Sequence, residues 1–478
     1  MSAAPSRASA RAVHHVPTES RDELALAIER TANARPISGN TIQHHPDSPE
    51  AIAAILALIA GAERWVHFEN YIIRADNTGR AVADALIERA SMGVSVRVVY
   101  DALGSVGTSH RYWRTLRKAG IEVRAFHPLL SLQPFELPIR DHRKLVVADG
   151  ARAMVGGLCI GDEWAGDPAR GRQPWRDTML TVCGPAAAVL DGAFARVWEH
   201  MGAPLPPEEG AVDPEPCGDA TVQVVAGVPF QGRIYRATQL IAAAAMERLW
   251  ITDAYLVPPA SLYAALLDAA RQGVDVRLLV PGASDLPVMR SFTRVGYREL
   301  LRAGVRIFEW TGPMIHAKTL VADRRWARVG SSNLNVSSLL GNYELDLLAD
   351  DPNAADALAA QFRRDLQHSQ EIVLEPRRRL LPQRLAGAPT EGTPPPRVAH
   401  KRSGYELGAV AVVALRRVAG GLRRALVGTV ALLFLLLAVL LVAFPRVMSI
   451  VLAVGALWVS LGFGIYAYGK RRVTRFNI

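Results

Sequence analysis

The pattern H-x-K-x4-D occurs twice in this chain, as His142, Lys144 and Asp149 and again as His316, Lys318 and Asp323. The copies lie 174 residues apart (316 minus 142), and each runs on into a glycine-bearing turn. One H-x-K means little, because an isolated histidine usually belongs to a surface or a core. Two copies with matching surroundings predict a chain built twice, with its active site divided between the halves. Residues two apart on a strand share a face, so His142 projects with Lys144 and His316 with Lys318. Histidine attacks phosphorus or shuttles protons near neutral pH, and lysine is a compact positive charge for phosphate oxygens. Both pairs converging on one phosphate would supply a nucleophile, a proton donor and two fixed charges.

The surroundings repeat as well. Residues 63–71 (ERWVHFENY) match 247–255 (ERLWITDAY) at an offset of 184. Each match is followed by a helical stretch, then Gly93-Val-Ser-Val or Gly273-Val-Asp-Val. A second helix then ends at Gly120 or Gly304 before another Val/Ile-rich strand. The expected fold class is α/β: two pseudo-symmetric α/β/α halves around a shared site, plus a C-terminal transmembrane helical hairpin. The expected divisions are a flexible tail over 1–40, a first half over 41–205 and a Pro-rich linker over 206–220. A second half over 221–378, a linker over 379–403 and a membrane region over 404–478 follow.

Residues 425–444 are 20 uncharged residues and 447–468 a further 22, with only Pro445 and Arg446 between them. A helix of that length spans about 30 Å, the thickness of a bilayer's hydrocarbon core. Arg416, Arg417, Arg423 and Arg424 precede the pair, and Lys470, Arg471, Arg472 and Arg475 follow it, so both ends are expected in the cytoplasm. The net charge of +10 fits a polyanionic partner, nucleic acid or anionic lipid alike. Three cysteines, Cys159, Cys183 and Cys217, form neither a disulfide framework nor a metal-ligand spacing.

Further segments carry a resemblance across about residues 45–375: Gly156-Gly157, Ile160-Gly-Asp-Glu-Trp164, Pro174-Trp-Arg-Asp177-Thr, Gly330-Ser331-Ser-Asn333 and Gly341-Asn-Tyr-Glu344. With the two H-x-K-x4-D motifs, they make the chain resemble the phospholipase D superfamily, and within it the bacterial cardiolipin synthases. The resemblance implies phospholipase D-type halves and a phosphohistidine mechanism, with His142 as nucleophile and His316 as acid and base. Lys144 and Lys318 would hold the phosphate oxygens, helped by the hydroxyl of Ser331 and the amide of Asn333. Asp177 and Glu344 would orient the histidines. Asp149 and Asp323 complete the catalytic motif, although such aspartates more often serve structure than chemistry. The resemblance calls for no metal and no cofactor. Where the second half has Ser331-Ser-Asn333, the first has Gly157-Leu-Cys159, and the family commonly has asparagine in both. Cysteine is a weak donor, so an asymmetric site is expected. Trp164, Trp175, Trp198 and Trp310 are expected in the core.

Three functions fit: a phosphatidyltransferase condensing two phosphatidylglycerols into cardiolipin and glycerol, a phospholipase or nuclease using water, and a non-catalytic membrane protein. Intact histidines and lysines in both copies speak against the last. The hairpin favours the first, since tethering raises the local concentration of a lipid substrate and has no evident use for a soluble nucleotide. Phosphatidylglycerol and the membrane are therefore the expected partners, and nucleic acid is not. The expected location is the bacterial cytoplasmic membrane, with the catalytic region facing the cytoplasm.

Overall fold

Short strands of buried Val, Ile, Leu and Ala alternate with capped amphipathic helices through both halves of the chain. A computed structural model describes residues 18–128, 138–210, 212–374 and 380–384. The first half runs β1 (Pro36–His45), α2 (Ser48–Ala60), β2 (Trp65–Asn70), α3 (Asn77–Ser91), β3 (Ser95–Asp101), α4 (His110–Lys118) and β4 (Glu122–Phe126). It continues as β5 (Lys144–Ala148), β6 (Arg152–Gly156), α5 (Asp162–Ala165), β7 (Met179–Cys183) and α6 (Pro185–His200). The second half repeats this order: β8 (Ala220–Gly227), α7 (Arg233–Ala244), β9 (Arg248–Thr252), α8 (Ala260–Arg271), β10 (Asp275–Pro281), α9 (Pro287–Ala303) and β11 (Arg306–Trp310). Then come β12 (Thr319–Ala322), β13 (Trp326–Gly330), a π-helical turn (Ser337–Gly341), β14 (Glu344–Asp350) and α10 (Pro352–Gln367).

Local chemistry explains the helix starts. Asp47, Asp76 and Asp351 each accept a hydrogen bond from an amide three residues on, capping α2, α3 and α10. Pro49 and Pro352 then occupy first-turn positions where no amide donor is missed.

The strands form one sheet whose order mirrors about its centre. One wing reads β4-β3-β2-β5-β6-β7-β1 outward to inward, and the other β11-β10-β9-β12-β13-β14-β8. The wings join where β1 lies antiparallel to β8, pairing Ile37 with Val222 and Asn40 with Ala220. β2, β3 and β4 are mutually parallel, as are β9, β10 and β11. A single apolar layer spans both wings. It holds Leu145, Phe194 and Trp198 of the first half with Val321, Leu345 and Phe362 of the second, and includes α6 and α10. Separate outer cores cover each wing, one under α2, α3 and α4 and the other under α7 and α8.

Several expected divisions differ from what forms. The stretch 1–40 is not all tail: residues 18–32 are helix α1 (Thr18–Ala32), whose Ile28 and Ala32 are buried in the second half's outer core, and β1 begins at Pro36. Their few apolar residues are enough because a distant helix, α7, supplies the rest of the surface. Part of the 379–403 linker is likewise strand: β16 (Leu380–Arg384) pairs antiparallel with β15 (Ser369–Leu374) at the sheet edge, where Pro382 is tolerated. The Pro-rich junction near 206–220 is tied down at Glu209, which is buried and accepts from Arg97 and contacts His67. The tail's first 17 residues and the runs 425–444 and 447–468 lie outside the described residues. Among the described residues no helix is long and apolar enough to cross a membrane.

The repeat also slips by one residue. Val66 pairs with Ala148 and Leu249 with Ala322, equivalent motif positions, so the strands align at an offset of 183 (249 minus 66) and not 184. An extra residue after β9 restores 184 at Tyr71 and Tyr255. Both strands are buried along their whole length, and the flanking Glu-Arg and Tyr matches favour 184, so pattern matching did not register the slip.

Asp149 and Asp323 fall just past β5 and β12, five residues and about 16 Å along the strand from Lys144 and Lys318. The Asp149 carboxylate accepts from the amides of Glu63, Arg64 and Trp65 at 3.0, 2.7 and 3.0 Å. Asp323 accepts from Met246, Glu247 and Arg248 at 3.1, 2.7 and 3.1 Å. Their φ values of 57° and 53° are left-handed, a conformation aspartate tolerates. They fasten the start of one strand to the end of its neighbour, and these contacts support a structural role. Asp149→Ala or Asp323→Ala should cost about 1–3 kcal/mol in thermal unfolding with kcat of the folded enzyme unchanged. A large kcat loss at unchanged Tm would return them to the chemistry.

Candidate active site

The strand reading holds only from Lys144 and from Thr319 onward. His142 and His316 precede the strands, in segments that pair with the opposite half. Tyr343 donates its amide to Arg140 O at 2.9 Å, and His142 donates its amide to Tyr343 O at 2.9 Å. The counterpart joins Arg176 N to Met314 O at 2.9 Å and His316 N to Arg176 O at 2.7 Å. Each histidine is thereby laid beside the segment carrying the other half's carboxylate.

The side chains follow the backbone. His142 Nδ1 lies 3.0 Å from each oxygen of Glu344, and His316 Nδ1 lies 2.7 Å from Asp177 Oδ2. Both carboxylates are fully buried, and the histidines are 9% and 5% exposed. Counting along the chain assigns Asp177 to the half of His142 and Glu344 to that of His316; the structure crosses them. With Nδ1 engaged by a carboxylate, Nε2 is left as the reactive nitrogen of each ring. Lys144 Nζ donates to His142 O and Lys318 Nζ to His316 O, and Lys318 Nζ also lies 3.1 Å from His316 Nε2.

Each carboxylate has its own support. Trp164 Nε1 donates to Asp177 Oδ2 at 3.2 Å and the Thr178 amide to Oδ1 at 2.8 Å. Glu344 accepts from the hydroxyls of Ser331 and Ser338. The asymmetry read at 157–159 acquires a physical meaning here. A Cβ on Gly157 would stand 2.3 Å from Asp177 Oδ1, so glycine leaves room for one carboxylate where Ser331 hydrogen-bonds the other. Ser331, expected to hold phosphate, instead spends its hydroxyl on Glu344 and accepts from the Leu345 amide at 3.0 Å. Asn333 keeps its side-chain Oδ1 buried without a protein partner, and Cys159 is buried with its thiol pushed up by burial.

Burial dominates the electrostatics. It lowers the proton affinity of His142, with Lys144 and Lys318 adding to the effect against Glu344. His316 is taken down to about 4 by burial and Lys318, with Lys144 contributing. Both lysines thus act on both histidines. Burial brings Lys318 down to about 8. Burial alone would raise Asp177 and Glu344, but the facing histidines and lysines outweigh it and hold both below the usual carboxylate range.

Sequence reasoning missed several neighbours. Tyr71 and Tyr255 meet His142 and His316 edge-on, at 4.8 and 6.0 Å between centroids; they were visible as matched ends of the repeat. Trp164, expected as core, is 1% exposed and also stands edge-on to His316 at 5.4 Å. Arg143, the middle residue of the first motif, turns away from the site and donates to the carbonyls of Glu344, Ala193 and Gly227. Its counterpart, Ala317, is simply packed in the shared core. Glu69 and Asp141 are buried against each other; burial raises both, Asp141 to about 6. Nothing in the sequence marked Glu69.

Two outcomes follow. With 15N-histidine NMR, Glu344→Gln should change the tautomer of His142 and Asp177→Asn that of His316, each lowering kcat roughly 10²–10⁴-fold. The opposite pairing would refute the crossing. Because His316 is lowered from 6.5 to about 4, the unfolded chain binds the extra proton between those values, so stability falls as pH drops through that window. His316→Gln should remove up to about 1.4 kcal/mol per pH unit of that slope in denaturant unfolding between pH 4 and 6.5.

The family model described as "Cardiolipin synthase, PLD-like domain" matches residues 55–162 and 238–366, which include both H-x-K-x4-D motifs and Glu344. The cardiolipin synthase of Halalkalibacterium halodurans is 33% identical over 363 residues, covering 74% of this chain and 71% of that protein. Cardiolipin synthase A of Pseudomonas fluorescens is 34% identical over 342 residues, 71% of each chain. In fold, the chain resembles the crystal structure of phosphatidylserine synthase from Haemophilus influenzae, with a TM-score of 0.58, 15% identity, and coverage of 73% of this chain and 92% of that one. A duplicated motif on a mirrored sheet, matched at this identity across most of two synthases, places the chain in the phospholipase D superfamily, among its cardiolipin synthase-like phosphatidyltransferases.

Proposed function

We propose that the chain is a membrane-anchored cardiolipin synthase that joins two phosphatidylglycerols and releases glycerol through a phosphohistidine. The observation that carries the reading is the crossed pair of histidine–carboxylate contacts, His142 with Glu344 and His316 with Asp177. In the first step His142 Nε2 attacks phosphorus, and His316 donates a proton to the departing glycerol oxygen. In the second, His316 takes the proton of the incoming phosphatidylglycerol hydroxyl, whose oxygen displaces His142 from phosphorus. Lys144 and Lys318 hold the equatorial oxygens, and the amide of Asn333 assists. Asp177 and Glu344 fix the tautomers.

Burial and the lysines favour neutral histidines. A neutral His142 is ready to attack. An anionic phosphodiester beside His316 raises its proton affinity, so the acid is charged when the substrate arrives. The runs 425–444 and 447–468 would anchor the catalytic part at the cytoplasmic face of the membrane, as their arginine and lysine flanks suggest. The named relatives support the phosphatidyl donor and acceptor.

Purified enzyme given phosphatidylglycerol should yield cardiolipin and glycerol by mass spectrometry. Phosphatidic acid with glycerol and no cardiolipin would make it a phospholipase D-type hydrolase, and turnover of a nucleic acid alone would make it a nuclease. His142→Ala and His316→Ala should each abolish turnover with folding intact; activity retained in either would remove the divided-site mechanism.

A further inference from the structure

Nine large apolar side chains are exposed among the described residues: Leu26, Met92, Leu103, Val106, Phe230, Met246, Leu286, Val295 and Val336. Single exposed residues of this kind are ordinary, but five of the nine stand next to groups that touch the site. Leu103 and Val106 lie in the turn after β3. That turn is pressed on Tyr71, since a Cβ on Gly104 would stand 2.3 Å from Tyr71 O, and Tyr71 meets His142. Leu286 follows Asp285, which accepts from the Tyr255 hydroxyl at 2.7 Å, and Tyr255 meets His316. Phe230 and Val336 flank the π-helical turn whose Ser338 bonds Glu344. Each apolar tip is thus one or two contacts from a catalytic histidine or its carboxylate, on both sides of the site.

Phe230 is the most telling. It is 80% exposed, and its φ of +64° is left-handed, which a bulky side chain rarely adopts. Its amide is held to Leu340 O at 2.6 Å, so the backbone is pinned in the conformation that presents the ring to solvent. Folding gains nothing from an exposed ring on a strained backbone, and a partner that buries the ring would. Charge identifies the partner's chemistry. The turn holding Leu103 and Val106 leads into α4, which carries exposed Arg111, Arg114, Arg117 and Lys118 and no acidic residue.

We infer that the rim formed by Leu103, Val106, Phe230, Leu286 and Val336 inserts into an anionic phospholipid bilayer, setting the mouth of the active site directly on the lipid surface. Apolar tips beside arginine are the composition that binds the headgroup–acyl boundary. The inference rests on the lipid substrate proposed above. It goes beyond anchoring, because a tether alone leaves the catalytic region free to tumble, whereas this rim fixes which face meets the membrane.

The test uses the full chain reconstituted in phosphatidylglycerol–phosphatidylcholine vesicles. In a Cys183→Ser, Cys217→Ser background, Val106→Cys, Phe230→Cys and Met92→Cys are each labelled with a nitrobenzoxadiazole dye. Met92 is the control, 61% exposed where α3 ends and the chain turns into the start of β3, the end of that strand away from Leu103 and Val106. Dyes at 106 and 230 should be quenched by lipids carrying a nitroxide high on the acyl chain and shielded from aqueous iodide, with the reverse at 92. Equal iodide quenching at all three overturns the inference, and this readout needs no activity, so it decides even if phosphatidylglycerol proves not to be a substrate. Second, the Val106→Asp, Phe230→Asp double variant should lose about tenfold or more of its rate on bilayer phosphatidylglycerol while keeping its rate on a monomeric short-chain analogue. An unchanged bilayer rate, or equal loss on both substrates, also overturns it.

Discussion

Every feature of the site depends on two short backbone exchanges, Arg140–His142 with Tyr343 and Met314–His316 with Arg176. They bring each histidine beside the carboxylate of the opposite half. Neither half holds a complete site: the first has a histidine and a lysine but lacks the carboxylate that orients that histidine. The junction of β1 with β8 and the apolar layer shared by α6 and α10 hold the halves in register. Arg143 adds to this by reaching carbonyls of α6, β8 and β14 from one guanidinium. Arg176 forms a two-point contact with Asp365 of α10, at 3.0 and 2.8 Å, one residue from Asp177, the carboxylate that meets His316.

Two lysines, two histidines and two carboxylates in one buried volume are expensive to desolvate. The arrangement offsets part of that cost by pairing each imidazole with a carboxylate and by giving each carboxylate further donors: Trp164 and the Thr178 amide at one, Ser331 and Ser338 at the other. What remains is a pocket in which burial and the two lysines disfavour protonation of both rings. Such a pocket is arranged for an incoming anion and needs little reorganisation when charge develops on phosphate oxygens. The two supports are chemically different, so the histidines are related by fold and unlike in environment.

Much of this was legible in the chain. The duplicated motif and the repeated strand–helix pattern predict two α/β halves, because hydrophobic periodicity and glycine punctuation are local properties. His142, Lys144, His316, Lys318, Asp177 and Glu344 were all identifiable, and the structure gathers them. The roles of Ser331, Asp149 and Asp323 were not, because a hydroxyl or carboxylate in a motif does not show which neighbour it will face. Helix α1 escaped notice because its burial is contributed by α7, some 200 residues away. The slip between offsets of 183 and 184 escaped because both strands are buried on both faces and so show no alternation to fix a register, while the flanking Glu-Arg and Tyr residues match at 184.

By itself the sequence determined the chemistry available: which side chains occur, at what spacing, and how many times. Only the tertiary structure decided the partners, crossing Glu344 to His142 and Asp177 to His316. The reason is physical. Spacing governs contacts within one strand or helix turn, where covalent geometry sets the distance. Pairing across a pseudo-symmetric interface depends on how the two wings of the sheet come together, and no local property of either half records that.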